Sequence, residues 1–523
     1  MVNNSNHGAD TTVLRKFGIN ETYQLAMYLL DQYRGTILSC RYAIPSPLAP
    51  AESRMQLEEA VKVAIIHTIL KHPMLQVHMI DATSKTPSWI QLQSLNLTQH
   101  IKWNYIGEHD DFEQTVQETF RVQLDDRFSD LAIKQPGWKI TIIRQGNAPI
   151  MEVLLTWNHP QFDGAGARVF HEDFLEILNN AEKKTYEGTG LDGDILTLPE
   201  AAPVLPIPIE SLISLPVDLK HLAKAFWEES RPQFLNRDVS YATWCPICSS
   251  PYKTQFRAFF VDNASLIAIV ALCRQNKTTI TGLINGLALI AFSSHLDSKV
   301  APAFQSSTIM DHRRNLPPAP PDAPWGQSDR AVSNYVTQLP HRFETDVVAR
   351  IRSKLPADAN EGRDLSADLQ RELWAVSAQN RLEIVRKLEA GLRNDLVGLF
   401  KYVTDWKQTM RGIAKRTRQF TWLVTNIGVL DGNMSTRSRA TTTGSPNGDD
   451  ITTDDGQKWS INRAQFGLSA EVPAAAIEFA PVSVAGHGMC VSANWPDCAV
   501  NTALGDRIMA DLERWLAQLA NLS

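Results

Sequence analysis

The sequence predicts a mixed α/β (α+β) protein built from two comparable halves. Segments in which apolar and polar residues alternate, as in β-strands, are interspersed with segments whose apolar residues recur every three or four positions, as in amphipathic helices. The chain of 523 residues also exceeds the roughly 250–300 residues that one core usually serves. We therefore expect an N-terminal subdomain at residues 1–190, a crossover linker at 191–250 and a C-terminal subdomain at 251–523, each subdomain with a mixed sheet and helices.

The first half alternates helix and strand patterns from its start. In order, the periodicity predicts a helix, a strand, a strong amphipathic helix and a second strand, at residues 21–32, 36–43, 57–69 and 76–80. The amphipathic helix should end at His72-Pro73, because the residue before a proline is disfavoured in the α region.

A β-hairpin is predicted next. Residues 139–143 and 150–157 alternate apolar and β-branched positions, with a turn at residues 145–148 between them. The second strand leads directly into His159, and a helix should begin after Gly166. The histidine therefore lies between a buried strand and a helix, where α/β proteins build their sites.

The second half repeats the alternation. We expect a strand, two helices and a second strand, at residues 256–261, 264–274, 282–295 and 306–310. The threonine-rich segment 278–281 should cap the second of these helices. Further helical patterns cover residues 219–229, 365–417 and 508–522. Residues 433–457, rich in Ser, Thr, Gly and Asp, have the composition of a mobile loop.

Composition and charge exclude several classes of function. The chain has 51 basic and 57 acidic residues, so its formal net charge of −6 argues against a protein that binds nucleic acid or an anionic membrane. The polar first residues and the lack of an 18-residue apolar run predict no signal peptide, no transit peptide and no membrane span. We expect a cytoplasmic protein, whose six cysteines would remain thiols in a reducing compartment.

Two alternative motifs are weak. Cys245 and Cys248 have the spacing of a redox dithiol, but they precede serines and a proline on a predicted loop rather than opening a helix. The Gly164-Ala165-Gly166 segment follows a strand and opens a helix, yet it lacks the third glycine and the downstream acidic residue of a dinucleotide-binding fingerprint. A zinc site would need a second cysteine pair at ligand spacing, and Cys490 and Cys498 have seven residues between them, so we expect no metal.

The pattern His159-x-x-x-Asp163-Gly164 is more specific. At this composition about 0.04 such matches per chain would arise by chance. The alternative to an active site is a purely structural role, in which His159 is a core histidine and Asp163 caps the following helix. The position of the histidine at the end of a predicted buried strand favours an active site.

Segments in the same order along the chain resemble the coenzyme-A-dependent acyltransferase superfamily, which includes chloramphenicol acetyltransferase, plant BAHD acyltransferases and nonribosomal peptide condensation domains. The fungal branch of trichothecene 15-O-acetyltransferase and alcohol acetyltransferases is the most similar. Beside the histidine motif, the supporting matches are His72-Pro73-Met74-Leu75, Pro136-Gly137-Trp138-Lys139, residues 278–281, Asp311-His312-Arg313 and Thr425-Asn426-Ile427-Gly428. The resemblance spans nearly the whole chain.

The resemblance implies a fold and a reaction. Two chloramphenicol-acetyltransferase-like subdomains would form a V, with a tunnel between them that admits the two substrates from opposite sides. His159 would be the general base that takes a proton from the acceptor as it attacks the thioester. Acyl-CoA, most simply acetyl-CoA, would be a co-substrate, and no cofactor would be tightly bound.

The resemblance also implies roles for other residues. Asp163 would pair with Arg313, or with adjacent Arg314, and fix the histidine loop, while Gly164 would permit the turn into the helix. Thr425, Asn426 and Gly428 would be tunnel or substrate-binding residues.

Two differences from the family motifs argue against the condensation-domain and plant branches. Asn158 stands where condensation domains carry a second histidine, and residues 465–469 only faintly match the Asp-Phe-Gly-Trp-Gly motif of the plant branch. We therefore expect a stand-alone O-acyltransferase acting on a small-molecule alcohol, such as a hydroxyl of a terpenoid or polyketide secondary metabolite. The alternatives are a transferase that takes its acyl group from an acyl carrier protein, and a non-catalytic binding member.

Overall fold

The computed structural model describes residues 12–128, 135–180, 186–230, 238–356, 364–433 and 457–522. The helices in this part of the chain are α1 Ile19–Leu29, α2 Arg54–Lys71, α3 Leu97–His100, α4 Phe112–Leu124, α5 Gly164–Asn179, α6 Ile209–Leu212, α7 Leu219–Ser230, α8 Asn263–Gln275, α9 Ile280–His295, α10 Thr345–Arg352, α11 Ala367–Glu389, α12 Leu396–Leu399, α13 Trp406–Ile413 and α14 Thr502–Ala520.

The strands in the same part of the chain alternate with these helices. They are β1 Val13–Lys16, β2 Gly35–Ala43, β3 Val77–Ile80, β4 Ser88–Gln91, β5 Ser94–Asn96, β6 Ile101–Ile106, β7 Trp138–Gln145, β8 Ile150–Asn158, β9 Leu191–Asp192, β10 Ile195–Thr197, β11 Thr254–Asp262, β12 Phe304–Asp311, β13 Val336–Phe343, β14 Trp422–Val424, β15 Val429–Leu430, β16 Ser460–Leu468, β17 Ile477–Val484 and β18 Gly488–Pro496. The predicted α/β class is confirmed.

A five-stranded mixed sheet carries the predicted hairpin. Its order is β16-β2-β8-β7-β6; β7 and β8 are antiparallel, and β6 runs parallel to β7. The nine residues of β2 pair with all of β8, so Gly35 lies opposite Asn158 at the end where the hairpin leads into α5. The strand before His159 is thus an inner strand, bonded on both sides.

A larger mixed sheet lies in the second half. Its order is β11-β18-β17-β14-β12-β13, with β15 pairing on β17. The pairs of β14 with β12 and with β17 are parallel, whereas β11, β18 and β17 are antiparallel to their neighbours in that series. Two three-stranded sheets, β1-β4-β3 and β5-β10-β9, complete the strand pairing of the described residues.

Helices cover each large sheet and form its core. Buried side chains of α2 and α5 pack with those of β2, β7 and β8 in one cluster. Those of α8, α9, α11 and α14 pack with β17 and β18 in another. Helix α2 ends where the sequence predicted that it would. Its last residue is Lys71, because His72, which precedes Pro73, takes an extended conformation.

The division into residues 1–190, 191–250 and 251–523 stays a prediction. The structure adds that β16, from the second half of the chain, completes the first sheet by pairing with β2. The predicted helical stretch 365–417 is divided into α11, α12 and α13, since Gly391, Leu392 and Asn394 adopt left-handed backbone conformations after α11. Most of segment 433–457, predicted to be mobile, lies outside the described residues.

Candidate active site

His159 lies in the short connection between β8 and α5. The strand ends at Asn158, whose carbonyl accepts a hydrogen bond from the Gln161 backbone N–H at 2.9 Å, and α5 begins with Asp163 as its N-cap. This tight turn leaves His159 with a buried side chain, 8% exposed. An inner strand on one side and a capped helix on the other therefore fix its backbone.

The surroundings of the His159 ring keep it neutral. Burial lowers the pKa of His159 to about 4, although the charge of Asp163 and a hydrogen bond to its own backbone carbonyl act in the opposite direction. The ring of Tyr33 lies against the imidazole, with centroids 5.5 Å apart. At neutral pH the imidazole is thus unprotonated and able to accept a proton.

One nitrogen of this ring is engaged and the other is not. The Asn334 side-chain nitrogen lies 3.3 Å from His159 Nδ1 and 3.5 Å from the His159 carbonyl oxygen. Within the described residues, His159 Nε2 makes no hydrogen bond. Nε2 is therefore the atom available for proton transfer.

Asp163 is bound away from the imidazole. Its carboxylate caps α5 by accepting the Gly166 backbone N–H at 2.8 Å, and it accepts the Tyr335 backbone N–H at 2.7 Å. Arg313 binds both of its oxygens, at 2.8 and 2.9 Å. The predicted contact with Arg313 rather than Arg314 is present, and it is a bidentate ion pair in a buried position.

Arg313 uses every donor of its guanidinium. Besides Asp163, it donates to the Asp311 carboxylate at 2.9 Å, to the Ala331 carbonyl at 3.2 Å and to the Ser333 carbonyl at 2.7 Å. Burial would lower the pKa of Arg313, but the two carboxylates outweigh it and raise the pKa. This arginine therefore joins the start of α5 to the segment 331–335.

Gly164 is required by a close approach rather than by the turn itself. A Cβ atom at this position would lie 2.7 Å from Ile427 Cγ2 and 2.8 Å from Phe466 Cζ. Its φ lies outside the left-handed range in which glycine is favoured. The glycine thus lets the segment after β14 and strand β16 pack against the start of α5.

The other predicted site residues lie on the segment that packs there. Thr425 is buried, and its backbone N–H donates to the Phe479 carbonyl at 2.9 Å. Asn426 donates to Thr281 at 3.2 Å and accepts the Gly428 N–H at 2.9 Å, with Gly428 in a left-handed conformation. Neither Thr425 nor Asn426 hydrogen-bonds His159, so their substrate-binding role stays a prediction.

Sequence reasoning missed four residues of the site. Tyr33 contacts the imidazole, Asn334 bonds it, and the backbones of Ser333 and Tyr335 bond Asp163. These residues lie in irregular segments with neither periodicity nor motif spacing. The one available signal is the polar residue pair 333–334 inside an otherwise apolar run.

The two weak motifs have structural explanations. Cys245 is buried and its thiol lies 3.6 Å from the Ala499 carbonyl, while the Cys498 thiol lies 3.2 Å from the Cys248 carbonyl. The backbone N–H of Gly166, which a dinucleotide phosphate would need, is already bonded to Asp163.

Neither a metal-binding cluster nor a membrane-spanning helix occurs in the described part of the chain. No cluster of three or more His, Cys, Asp or Glu side chains could hold a metal ion there. Among the helices that the structure describes, none combines the length and apolar character that crossing a bilayer requires.

Known proteins share the sequence pattern and the fold. The alcohol acetyltransferase family model matches residues 91–328. A probable alcohol acetyltransferase of Fusarium pseudograminearum, FCK4, is 23% identical over 98% of this chain and 97% of its own length. The probable alcohol acetyltransferase crmB of Aspergillus fumigatus is 20% identical, over 93% and 96%.

Three solved structures have the same fold. The trichothecene 15-O-acetyltransferase TRI3 of Fusarium sporotrichioides aligns with a TM-score of 0.63 and 13% identity, over 97% of this chain and 94% of that one. The condensation domain of the Monacolin K polyketide synthase MokA gives 0.54 and 9%, over 98% of each chain. A starter condensation domain of rhizomide synthetase RzmA, in complex with C8-CoA and Leu-SNAC, gives 0.51 and 11%, over 98% and 94%.

The resemblance predicted from the sequence is confirmed by these matches. Residues 91–328 carry the alcohol acetyltransferase pattern, and nearly the whole chain has the fold of TRI3 and of condensation domains. The chain is thus similar to alcohol acetyltransferases in sequence and to TRI3 in fold.

Proposed function

We propose that the protein transfers an acyl group, most simply acetyl, from acyl-CoA to a hydroxyl group of a small molecule, with His159 as the general base. The observation that carries this proposal is the state of the imidazole. It is buried and neutral, one of its nitrogens is engaged, and Nε2 has no partner within the described residues. Such an imidazole can take a proton at neutral pH without first losing one.

The reaction would proceed in two steps. His159 Nε2 removes the proton of the acceptor hydroxyl as its oxygen forms a bond to the thioester carbonyl carbon, which gives a tetrahedral oxyanion. The C–S bond then breaks, and the protonated imidazole returns the proton to the CoA sulfur. Both substrates held beside one imidazole make the attack effectively unimolecular.

The Asp163–Arg313 pair would serve this chemistry by holding the loop. Because Asp163 makes its hydrogen bonds to Arg313 and to backbone N–H groups, it stays out of the proton transfer. A carboxylate bonded directly to the imidazole would favour the protonated ring instead.

Two observations bear on the donor and the acceptor. RzmA is related in fold and was solved with C8-CoA, which supports a CoA thioester as the donor. TRI3 is a trichothecene acetyltransferase, which supports a hydroxyl of a secondary metabolite as the acceptor. The fold likeness to the MokA condensation domain favours, as a second candidate, transfer from an acyl carrier protein.

Calorimetric titration of the purified protein with CoA and acetyl-CoA tests the donor, because it requires no knowledge of the acceptor. We expect saturable micromolar binding, about −8 kcal/mol. No binding to a folded sample would overturn the CoA proposal and favour the carrier-protein donor.

A thiol-release assay with acetyl-CoA and a panel of primary and terpenoid alcohols then tests the base. H159A should abolish acceptor-dependent CoA release. H171Q is the matched control, because His171 is also buried with its pKa lowered to about 4 by burial, yet both of its nitrogens are hydrogen-bonded, to Tyr42 and to the Leu38 carbonyl. Full activity of H159A would overturn the proposal.

A further inference from the structure

Asn334 is the polar side chain that the structure places against the His159 ring. It is 4% exposed, its Nδ2 lies 3.3 Å from His159 Nδ1, and its Oδ1 is buried without a hydrogen-bond partner in the described part of the chain. A buried amide oxygen without a partner is costly. The contact and the orphaned atom belong to the same side chain.

The protonation of the ring decides which amide atom should face it. A neutral imidazole carries one proton, and the proposed base needs its lone pair on Nε2, the nitrogen that has no hydrogen-bond partner among the described residues. Nδ1 therefore carries the proton, and an amide N–H cannot donate to it. Rotating the Asn334 amide by half a turn presents Oδ1 to Nδ1 as an acceptor and moves Nδ2 to the position where Oδ1 had no partner.

The backbone on each side of Asn334 is fixed by the Asp163–Arg313 pair. The Ser333 carbonyl accepts from Arg313 Nη2 at 2.7 Å and from the Asp163 backbone N–H at 3.2 Å. The Tyr335 backbone N–H donates to Asp163 Oδ2 at 2.7 Å. The ion pair thus sets the position of the one residue between them.

We propose that Asn334 is a positioning residue that accepts the Nδ1 proton of His159, and that the Asp163–Arg313 pair acts on the imidazole through Asn334. Holding the proton on Nδ1 leaves the lone pair on Nε2, where the acceptor hydroxyl must deliver its proton. The inference rests on the proposed role of His159 as the base. It gives Asp163 a second effect beside the fixing of the loop, exerted through a side chain 171 positions farther along the chain.

Asn158 provides a matched control. It is the same residue type, directly precedes His159 and is 1% exposed, but neither polar atom of its side chain has a hydrogen-bond partner among the described residues. N158A therefore removes a buried amide beside His159 without removing a hydrogen bond to the ring.

The first experiment measures by NMR which nitrogen of the His159 ring carries the proton, and it needs no substrate. In a sample labelled with ¹⁵N on histidine, with the His159 signals identified by their loss in H159Q, we expect the wild type at pH 7 to carry the proton on Nδ1. N334A should shift a measurable share of the ring to the Nε2–H form, and N158A should not. A wild-type ring protonated on Nε2, or an N334A spectrum identical to that of the wild type, would overturn the proposal.

The second experiment measures kcat/KM for acyl transfer to the alcohol of the panel that reacts fastest. N334A should lower kcat/KM by up to about 100-fold with little change in the KM for acetyl-CoA. N334D keeps an acceptor oxygen, and its negative charge favours the charged ring, so the acid limb of the pH profile should move to higher pH. An N334A enzyme with wild-type kcat/KM would contradict the inference.

A double-mutant cycle distinguishes an effect of Asp163 that is exerted through Asn334 from an effect that Asp163 has by fixing the loop of His159. D163N should reduce kcat/KM less in the N334A background than in the wild type, because part of its effect has already been removed. Strictly additive effects would overturn the coupling between Asp163 and Asn334. If H159A proved fully active, the proposed function would fail, whereas the tautomer measurement would still decide the placement of the proton.

Discussion

Helix α5 carries two buried histidine–aspartate–arginine clusters with opposite arrangements. At its start, Asp163 pairs with Arg313 and has no hydrogen bond to His159. Ten residues farther along, Asp173 bonds His72 Nε2 directly at 2.9 Å, and Arg330 binds Asp173 and the neighbouring Glu172. The same three residue types are present at both sites.

The difference lies in where the carboxylate is directed. At Asp173, burial would raise the pKa, but the hydrogen bond from His72 and the charge of Arg330 outweigh it and hold the pKa well below its usual range. The Nε2 of His72 is consequently a donor to a permanent anion and cannot serve as a base. His159 keeps its Nε2 available because its aspartate is bound elsewhere.

The largest difference between the two clusters is expected when their histidines are replaced, because one replacement should affect activity and the other stability. H159A should lose about 1,000-fold or more in kcat/KM, because general-base catalysis is worth about 100- to 10,000-fold, while its melting temperature should change little. H72A should keep its kcat per folded molecule and lose stability, since it removes the His72 hydrogen bond to the buried Asp173 carboxylate. Thiol-release kinetics combined with thermal denaturation check both; an inactive but stable H72A would contradict the comparison.

The arginines should differ less, because both are structural. R313A leaves the buried Asp163 carboxylate without a cation and should cost about 3–5 kcal/mol of unfolding free energy, whereas R330A leaves Asp173 with Lys71 and His72 and should cost less. Only R313A should also lower kcat/KM in the molecules that remain folded, since Arg313 holds the segment that carries Asn334. Urea denaturation and kinetics on the same preparations test this, and an equal loss of activity in R330A would remove the distinction.

The pH dependence should follow from the buried neutral rings. Burial lowers the pKa of His159 and of His171 to about 4, below the ordinary value of 6.5. The unfolded chain therefore binds protons at a higher pH than the folded one, so the free energy of unfolding should fall as the pH drops from about 6.5 to about 4. H159Q should flatten part of this slope in urea midpoints measured across that range.

The activity of the free enzyme should have its acid limb at the lower end of the same range. Because His159 must be neutral to act as the base, kcat/KM should stay nearly level from neutral pH down to about 5 and decline near pH 4. An acid limb at pH 6.5 or above would show that the ring is more solvated than the structure indicates.

The smallest effect is expected from the cysteine pair, which belongs to neither cluster. C245S with C248S should leave kcat/KM unchanged within about twofold, since Cys245 is a buried thiol near a carbonyl and Cys248 lies on a loop. Loss of activity in the double variant, in a sample with wild-type stability, would revive a redox role.

The sequence anticipated the parts of this site that depend on local periodicity and motif spacing. The hairpin, the helix after it and the pair of Asp163 with Arg313 all follow local patterns or the family motif, although the helix begins at Gly164 rather than after Gly166. Asn334 could not be found in this way, because it lies 175 positions from His159 in an irregular segment.

The main-chain contacts on each side of Asn334 are even harder to predict from the sequence. The Ser333 carbonyl and the Tyr335 N–H bond Asp163 and Arg313 through the main chain, which any non-proline residue could provide. The break of the predicted 365–417 helix after Glu389, where the non-glycine residues Leu392 and Asn394 adopt left-handed conformations, is similarly hard to predict from periodicity.

Strand β16 has a consequence for the synthesis of this protein. It pairs with β2 across more than 400 residues of chain, so β2 emerges from the ribosome long before its neighbour. At about 5–20 residues per second, the edge of the sheet that carries His159 stays open for roughly 20 to 90 seconds. A nascent chain with an unpaired strand edge is prone to aggregation, and a prematurely terminated one would keep that edge exposed. We therefore expect truncated translation products to engage chaperones or proteases while the full-length protein escapes them.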